Sequence, residues 1–183
     1  QRPAGQSSQR VVALELDAHG ACRLSHFPAF HSLAAAVLTG CVPISETVAI
    51  CRYFEETHPE PPLFGRTALE KAHVDMWVRR VEFVLMTPIG NYWRHAHPYT
   101  AALLTQFKDF GESNRETYAG AQKWLDRELA CRDFIAGHDF TIADICALSA
   151  VDFATWIGLE MDPNYANLAA WHQRVSARPS AQA

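Results

Sequence analysis

"FTIADICAL", residues 140–148, decides how the second half of this chain is read. Thr141 and Asp144 stand three residues apart at the mouth of a run that stays mostly apolar through Ile157, interrupted after Asp144 by one further charge, Asp152. Such a run predicts about four turns of buried helix. Water does not reach the first amides of a buried helix, and each orphan donor costs about 1–3 kcal/mol. Thr141 at the N-cap and Asp144 at the third helical position meet that need as a capping box, with Asp in the place usually held by Glu or Gln. Phe140 and Ile145 flank the box at the spacing of a hydrophobic staple. Asp144 is therefore expected to be a folding residue and not a catalytic acid.

Working outward, "NLAAWHQRVSA" (167–177) predicts a last helix stopped by Arg178-Pro179, and residues 113–131 predict an amphipathic helix with Tyr118, Ala121, Leu125 and Leu129 inward. Further back, Thr67-Ala68-Leu69-Glu70 is a second capping box. It opens a long helix whose stripe runs through Val74, Trp77, Val78, Val81, Val84, Leu85, Ile89 and Tyr92, with a kink expected at Pro88. Trp77, Tyr92, Trp93 and Trp156 read as core aromatics. The proline-rich "PEPPLFG" (59–65) separates this all-helical part from what precedes it, so two domains are expected, 1–60 and 61–183.

The first part is mixed. "VVALELD" (11–17) alternates at period two and leads into the turn-forming "DAHG", the pattern of a strand entering a hairpin. Residues 21–41 are small and apolar, with a short helix expected around 28–38. "SETVAICRYFEETHP" (45–59) predicts a helix of about three turns opened by Ser45 and closed by Pro59.

Composition limits the function. The chain has 183 residues, 49% hydrophobic, with a formal charge of −4 and no basic block, which argues against nucleic acid or an anionic membrane surface as partner. Its five cysteines are an odd set without a C-x-x-C pair, so neither a disulfide framework nor a zinc site is expected. His95 and His97 lack acidic or cysteine neighbours at ligand spacing and read as a solvated helix end, leaving no metal in the expectation. No apolar stretch reaches the roughly 20 residues of a membrane span and no secretory signal opens the chain, which is read as cytoplasmic.

Taken in order, the strand, turn and "ISETVAI" helix, the proline-rich linker and the "GHDFTIADICAL" helix resemble the cytosolic glutathione transferase superfamily. The resemblance implies a mainly α protein: an incomplete thioredoxin-like α/β part that binds glutathione, then an all-α bundle that shapes the pocket for a hydrophobic electrophile. By the same resemblance, Glu46 and Thr47 match the family's Glu-Ser pair that grips the γ-glutamyl end of glutathione. Helix-end amides and the Thr47 hydroxyl suit its carboxylate, and Glu46 suits its ammonium. Val11 and Val12 align with the family's cis-proline strand, Val12 in the proline's place, and would face the cysteinyl unit. Asn91 and Tyr92 on the long helix would line the electrophile pocket.

The chain also departs from the family pattern. "RPAGQ" (2–6) resembles the loop before the cis-proline strand, so the Tyr, Ser or Cys of the family's active centre would precede Gln1, and the catalytic residue is unknown from these residues. Joining Gly20 to Val42 restores a short hairpin, so 21–41 read as an insertion. The function implied is a glutathione transferase for detoxification, dimeric when complete, with glutathione as co-substrate. The alternatives are a non-catalytic module of the same fold that binds ligands or proteins, or an incomplete gene product.

Overall fold

The computed structural model describes residues 12–16, 22–26, 37–39 and 42–182. It divides into two units, Gln1–Pro59 and Glu60–Ala183. In the first, β1 (Val12–Leu16) pairs antiparallel with β2 (Cys22–His26), and β3 (Val37–Thr39) pairs antiparallel with β4 (Val42–Ile44). The two pairs are separate two-stranded sheets.

Both partner strands therefore come from residues 21–41, the stretch that the hairpin reading sets aside as inserted. Leu14 stands opposite Leu24 and Leu16 opposite Cys22. The period-two spacing of Cys22, Leu24 and His26 is the signal for β2 that the search for a single restored hairpin passes over. Val37 and Leu38, expected at the end of a helix, belong to β3; residues 28–36 of that expected helix lie outside the described residues, as does Val11. β4 passes through Ser45 into α1 (Thr47–Thr57), whose N-cap is Glu46.

The second unit opens with α2 (Ala68–Arg80). Its first turn is closed by Thr67 and Glu70: the Glu70 amide donates to the Thr67 hydroxyl at 3.2 Å, and the Glu70 carboxylate takes the amide of Thr67 at 3.2 Å and that of Arg66 at 2.8 Å. The long helix is not uniform. Val81–Met86 widens into a π-helical turn in which the Thr87 amide reaches back five residues to the Glu82 carbonyl, where the Thr87 hydroxyl also donates at 3.0 Å. Pro88 explains the widening, since it has no N–H and its ring clashes with the carbonyl four residues back in a regular turn. The expected kink thus takes the form of a π turn just before the proline, after which α3 (Thr87–His95) continues.

α4 (Lys108–Leu129) returns along α3, so that Asn91 meets Asn114 and His95 meets Phe107. The approach is closest at Gly111, where an added Cβ would lie 2.6 Å from the Ala96 nitrogen and 2.6 Å from the His95 carbonyl carbon. α5 (Ile142–Trp156) and α6 (Ala166–Ser176) complete the bundle. The core joins Val78, Val81 and Leu85 to Leu125 of α4, Ala143, Ala147, Val151 and Ala154 of α5, and Leu168 and Trp171 of α6, all buried. α5 is buried on one face only. Ile145 is 38% exposed and Trp156 68% exposed, so Trp156 is a surface residue and not the core aromatic its type suggests.

Polar side chains of α4 hold the loop beyond α5. Gln122 donates to the Glu160 carbonyl at 3.2 Å and accepts from the Asp162 amide at 2.9 Å. Tyr165, the N-cap residue of α6, gives no side-chain cap. Asp126 supplies one from another helix, accepting the amides of Asn167 at 2.9 Å and Leu168 at 3.0 Å.

The contact at Gly111 yields a prediction. Gly111→Ala sets a methyl against backbone atoms that have no room to yield, so the gain in helix propensity is outweighed and stability falls by about 1–3 kcal/mol. A denaturant titration should show a lower midpoint for the variant than for the parent chain.

Candidate functional site

Asp144 is fully buried at the start of α5, and its carboxylate collects four donors. One oxygen accepts the Thr141 amide at 2.9 Å and the Thr141 hydroxyl at 3.2 Å, the local part of a capping box. The other accepts the Ile135 amide at 2.8 Å and the Trp171 indole N–H at 2.8 Å. Two more amides at this helix end are also placed: Ile142 donates to the Leu63 carbonyl at 3.0 Å and Asp144 to the Thr141 carbonyl at 3.1 Å. Burial pushes the Asp144 carboxyl above its ordinary value, while the bonds from Ile135, Trp171 and Thr141 pull it back. A carboxylate with every donor supplied by the protein's own fold is a tie and not a reactive group. Phe140 packs edge-on against Phe134, with the Arg178 guanidinium 3.7 Å from its ring centre.

The N-terminus of α1 has the opposite character. Ser45, Glu46 and Thr47 are all exposed, and no side chain caps the helix. Glu46 sits at φ 70°, and is the one non-glycine residue with positive φ among the described residues. That conformation costs of order 1–3 kcal/mol and persists only where the surroundings or a function require it. The strand-to-helix turn from β4 thus presents free helix amides, a hydroxyl and a carboxylate at one point. These are the groups that recognise a carboxylate beside an ammonium. Val12, expected to neighbour this site, opens β1 opposite His26.

Asn91 and Tyr92, expected at a pocket, are engaged with α4. Asn91 donates to the Asn114 carbonyl oxygen at 3.2 Å, and Asn114 donates to the Phe110 carbonyl at 2.6 Å. Tyr92 is buried, its hydroxyl accepts from Arg115, and that guanidinium also reaches the Gly158 carbonyl at 3.4 Å. His95 ends α3, and the rings of His95 and His97 accept the amides of Phe107 at 3.4 Å and Tyr99 at 3.3 Å. Among the described residues no three His, Cys, Asp or Glu side chains converge as metal ligands, and no helix is long and apolar enough to cross a membrane.

The helical unit, with its double-anchored capping aspartate, can be set against known proteins. The family model "Glutathione S-transferase, C-terminal domain" matches residues 97–179. Gtt2 of Saccharomyces cerevisiae, a solved structure, superposes with a TM-score of 0.71 at 30% identity, covering 77% of this chain and 69% of that one. The chain belongs to the glutathione S-transferase superfamily. Among curated superfamily relatives, Glutathione S-transferase 2 of Saccharomyces cerevisiae is 32% identical over 139 residues, 75% of this chain. FtsZ-localized protein A of Caulobacter vibrioides is 24% identical over 138 residues, 74% of this chain. The chain spans 60% of the length of each of these two relatives.

The Thr-x-x-Asp spacing indicates the capping role of Asp144 but not its reach. Trp171 and Ile135 carry no local signal of their bonds to it, so a capping loss alone, about 0.5–2 kcal/mol, understates the residue. Asp144→Ala in this transferase-superfamily chain leaves the Ile135 and Thr141 amides and the Trp171 indole without acceptors. The expected loss is about 3–5 kcal/mol, measured as the drop in unfolding free energy. A loss confined to the capping range would mean that the loop and α6 find other acceptors.

Proposed function

We propose that this chain serves glutathione conjugation. The N-terminus of α1 holds the γ-glutamyl group of glutathione, and the bound thiolate attacks a hydrophobic electrophile or reduces a peroxide. The observation that carries the reading is the strained, uncapped turn at Glu46-Thr47 in a chain 32% identical to a yeast glutathione transferase. In this reading the α1 amides and the Thr47 hydroxyl donate to the γ-glutamyl carboxylate, and Glu46 accepts from the ammonium. Val11 and Val12 meet the cysteinyl unit through their backbone, and Asn91 and Tyr92 stand on the helix that borders the electrophile. The thiol ionises more readily when a hydroxyl or amide donor faces the sulfur. The reading includes a cytoplasmic setting, a homodimer and a detoxifying role.

A second reading has one observation in its favour. Tyr99, 63% exposed, stacks on Trp93 with ring centres 5.4 Å apart, and Trp156, 68% exposed, lies 5.5 Å from Trp93 and 5.8 Å from Phe153. An exposed aromatic cluster of this kind suits protein contact. A relative named for its localisation to FtsZ covers about the same share of this chain as the yeast transferase does. In that reading the chain is a docking module that has no need of glutathione.

Calorimetric titration with glutathione separates the two. The first reading expects binding, weakened about 10–100-fold by Thr47→Ala through loss of one hydrogen bond to a charged group, with thermal stability unchanged. Equal affinity in parent and variant removes Thr47 from the site, and no binding by the folded chain favours the docking reading.

A further inference from the structure

We propose that the electrophile taken by this chain carries a hydrogen-bond donor, a hydroxyl or N–H group, because α3 turns acceptors outward along the face that holds Asn91. The inference rests on the reading of Asn91 as a residue bordering the electrophile. It starts from a chain of bonds whose polarity is fixed at one end. The Phe110 carbonyl can only accept, so the Asn114 group 2.6 Å from it is the amide nitrogen. The Asn114 oxygen is then left for α3, where its partner at 3.2 Å must be a donor, the amide nitrogen of Asn91. Asn91 therefore turns its nitrogen to α4 and its oxygen away from Asn114.

The relay is rigid at its source. Asn114 is buried, and the two helices are held close beside it at Gly111, where an added Cβ would lie 2.6 Å from the Ala96 nitrogen. A flip of the Asn114 amide would set its oxygen against the Phe110 carbonyl, and a flip of Asn91 would set oxygen against oxygen. Asn91 itself is only partly buried. Its oxygen has no donor among the described residues and is not one of the buried side-chain atoms left without a partner, so it is open to solvent.

Thr87 repeats the pattern one turn earlier. Four residues apart in α3, Thr87 and Asn91 share a face of the helix. Thr87 is exposed, and its one hydroxyl proton goes to the Glu82 carbonyl at 3.0 Å, five residues back in the π-helical turn. What the hydroxyl has left to offer is again an acceptor. Space beside the two is open, since an added Cβ at Gly90 would meet nothing within 4 Å. A ligand group that only accepts hydrogen bonds would set lone pair against lone pair along this face. A hydroxyl or N–H would be paired.

The test uses the full chain and pairs of glutathione conjugates whose S-alkyl chain, butyl, hexyl or octyl, ends either in a hydroxyl or in its methyl ether. The alcohol both donates and accepts, and the ether only accepts. In calorimetric titration the alcohol is expected to bind about 3–10-fold more tightly than the ether for at least one chain length, the worth of one neutral hydrogen bond. The carbon-13 signal of the Asn91 side-chain carbonyl is expected to move with that alcohol and not with its ether. Asn91→Leu should abolish the preference, and Asn114→Leu, which frees Asn91 to turn either way, should narrow it. Equal affinities at every length with the Asn91 signal unmoved overturn the proposal and leave glutathione conjugation standing, as does a preference that persists in folded Asn91→Leu. Failure of the folded chain to bind glutathione or any conjugate removes the underlying reading and the proposal together. The parent-chain measurements decide it even if a variant does not fold.

Discussion

A single buried carboxylate organises the helical unit. Asp144 closes the first turn of α5 and, in the same act, fixes the loop at Ile135 and the α6 indole of Trp171. The constraint behind it is simple: the start of α5 lies in the interior, where an unmatched amide is costly and no water can take its place. The Asp144 carboxyl offers two oxygens that each take two donors, and so converts a local requirement into a junction of three segments. The alanines of α5 complete the arrangement by letting neighbouring helices approach its buried face.

Among the described residues the helix N-termini are met in different ways. Those of α2, α5 and α6 are satisfied internally, by Thr67 with Glu70, by Thr141 with Asp144, and by Asp126 reaching across from α4. Neither α1 nor α4 has a side-chain cap, and of their two N-cap residues only Glu46 of α1 has a positive φ. What sets the α1 end apart is its exposed N-cap residue, Glu46, held at φ 70°, a conformation that costs of order 1–3 kcal/mol. That strain beside an uncapped helix end supports the proposal of a ligand at Glu46-Thr47, and the four donors on Asp144 support structural duty at Thr141-Asp144.

Much of this was legible before any coordinates, and the reasons differ by element. The two boxes at 67–70 and 141–144 and the stripe from Val74 to Tyr92 are local patterns, so they mark helices directly; observed α4 and α6 begin at Lys108 and Ala166 against expected starts of 113 and 167. Long-range partners left no such mark. Nothing near Trp171 announces its bond to Asp144, nor does anything near Gln122 or Asp126 announce the loops they hold. Trp156 reads as a core aromatic for another reason, since an apolar run shows that a helix has a buried face but not that its opposite face is covered. At 21–41 the expectation of one compact hairpin drew attention from an alternation, Cys22, Leu24, His26, that forms β2 with β1. The amides that His95 and His97 accept, from Phe107 and Tyr99, carry no signal in the sequence either.

The account stands or falls on what occupies the open end of α1. Backbone amide shifts of the full chain, followed during titration with S-methylglutathione, locate a bound γ-glutamyl group without any contribution from catalysis. The account predicts saturable shifts centred on Glu46, Thr47 and Val48, with the α5 capping residues Thr141 and Asp144 unmoved. Shifts centred on the helical unit, or none at concentrations that saturate known glutathione transferases, would contradict it.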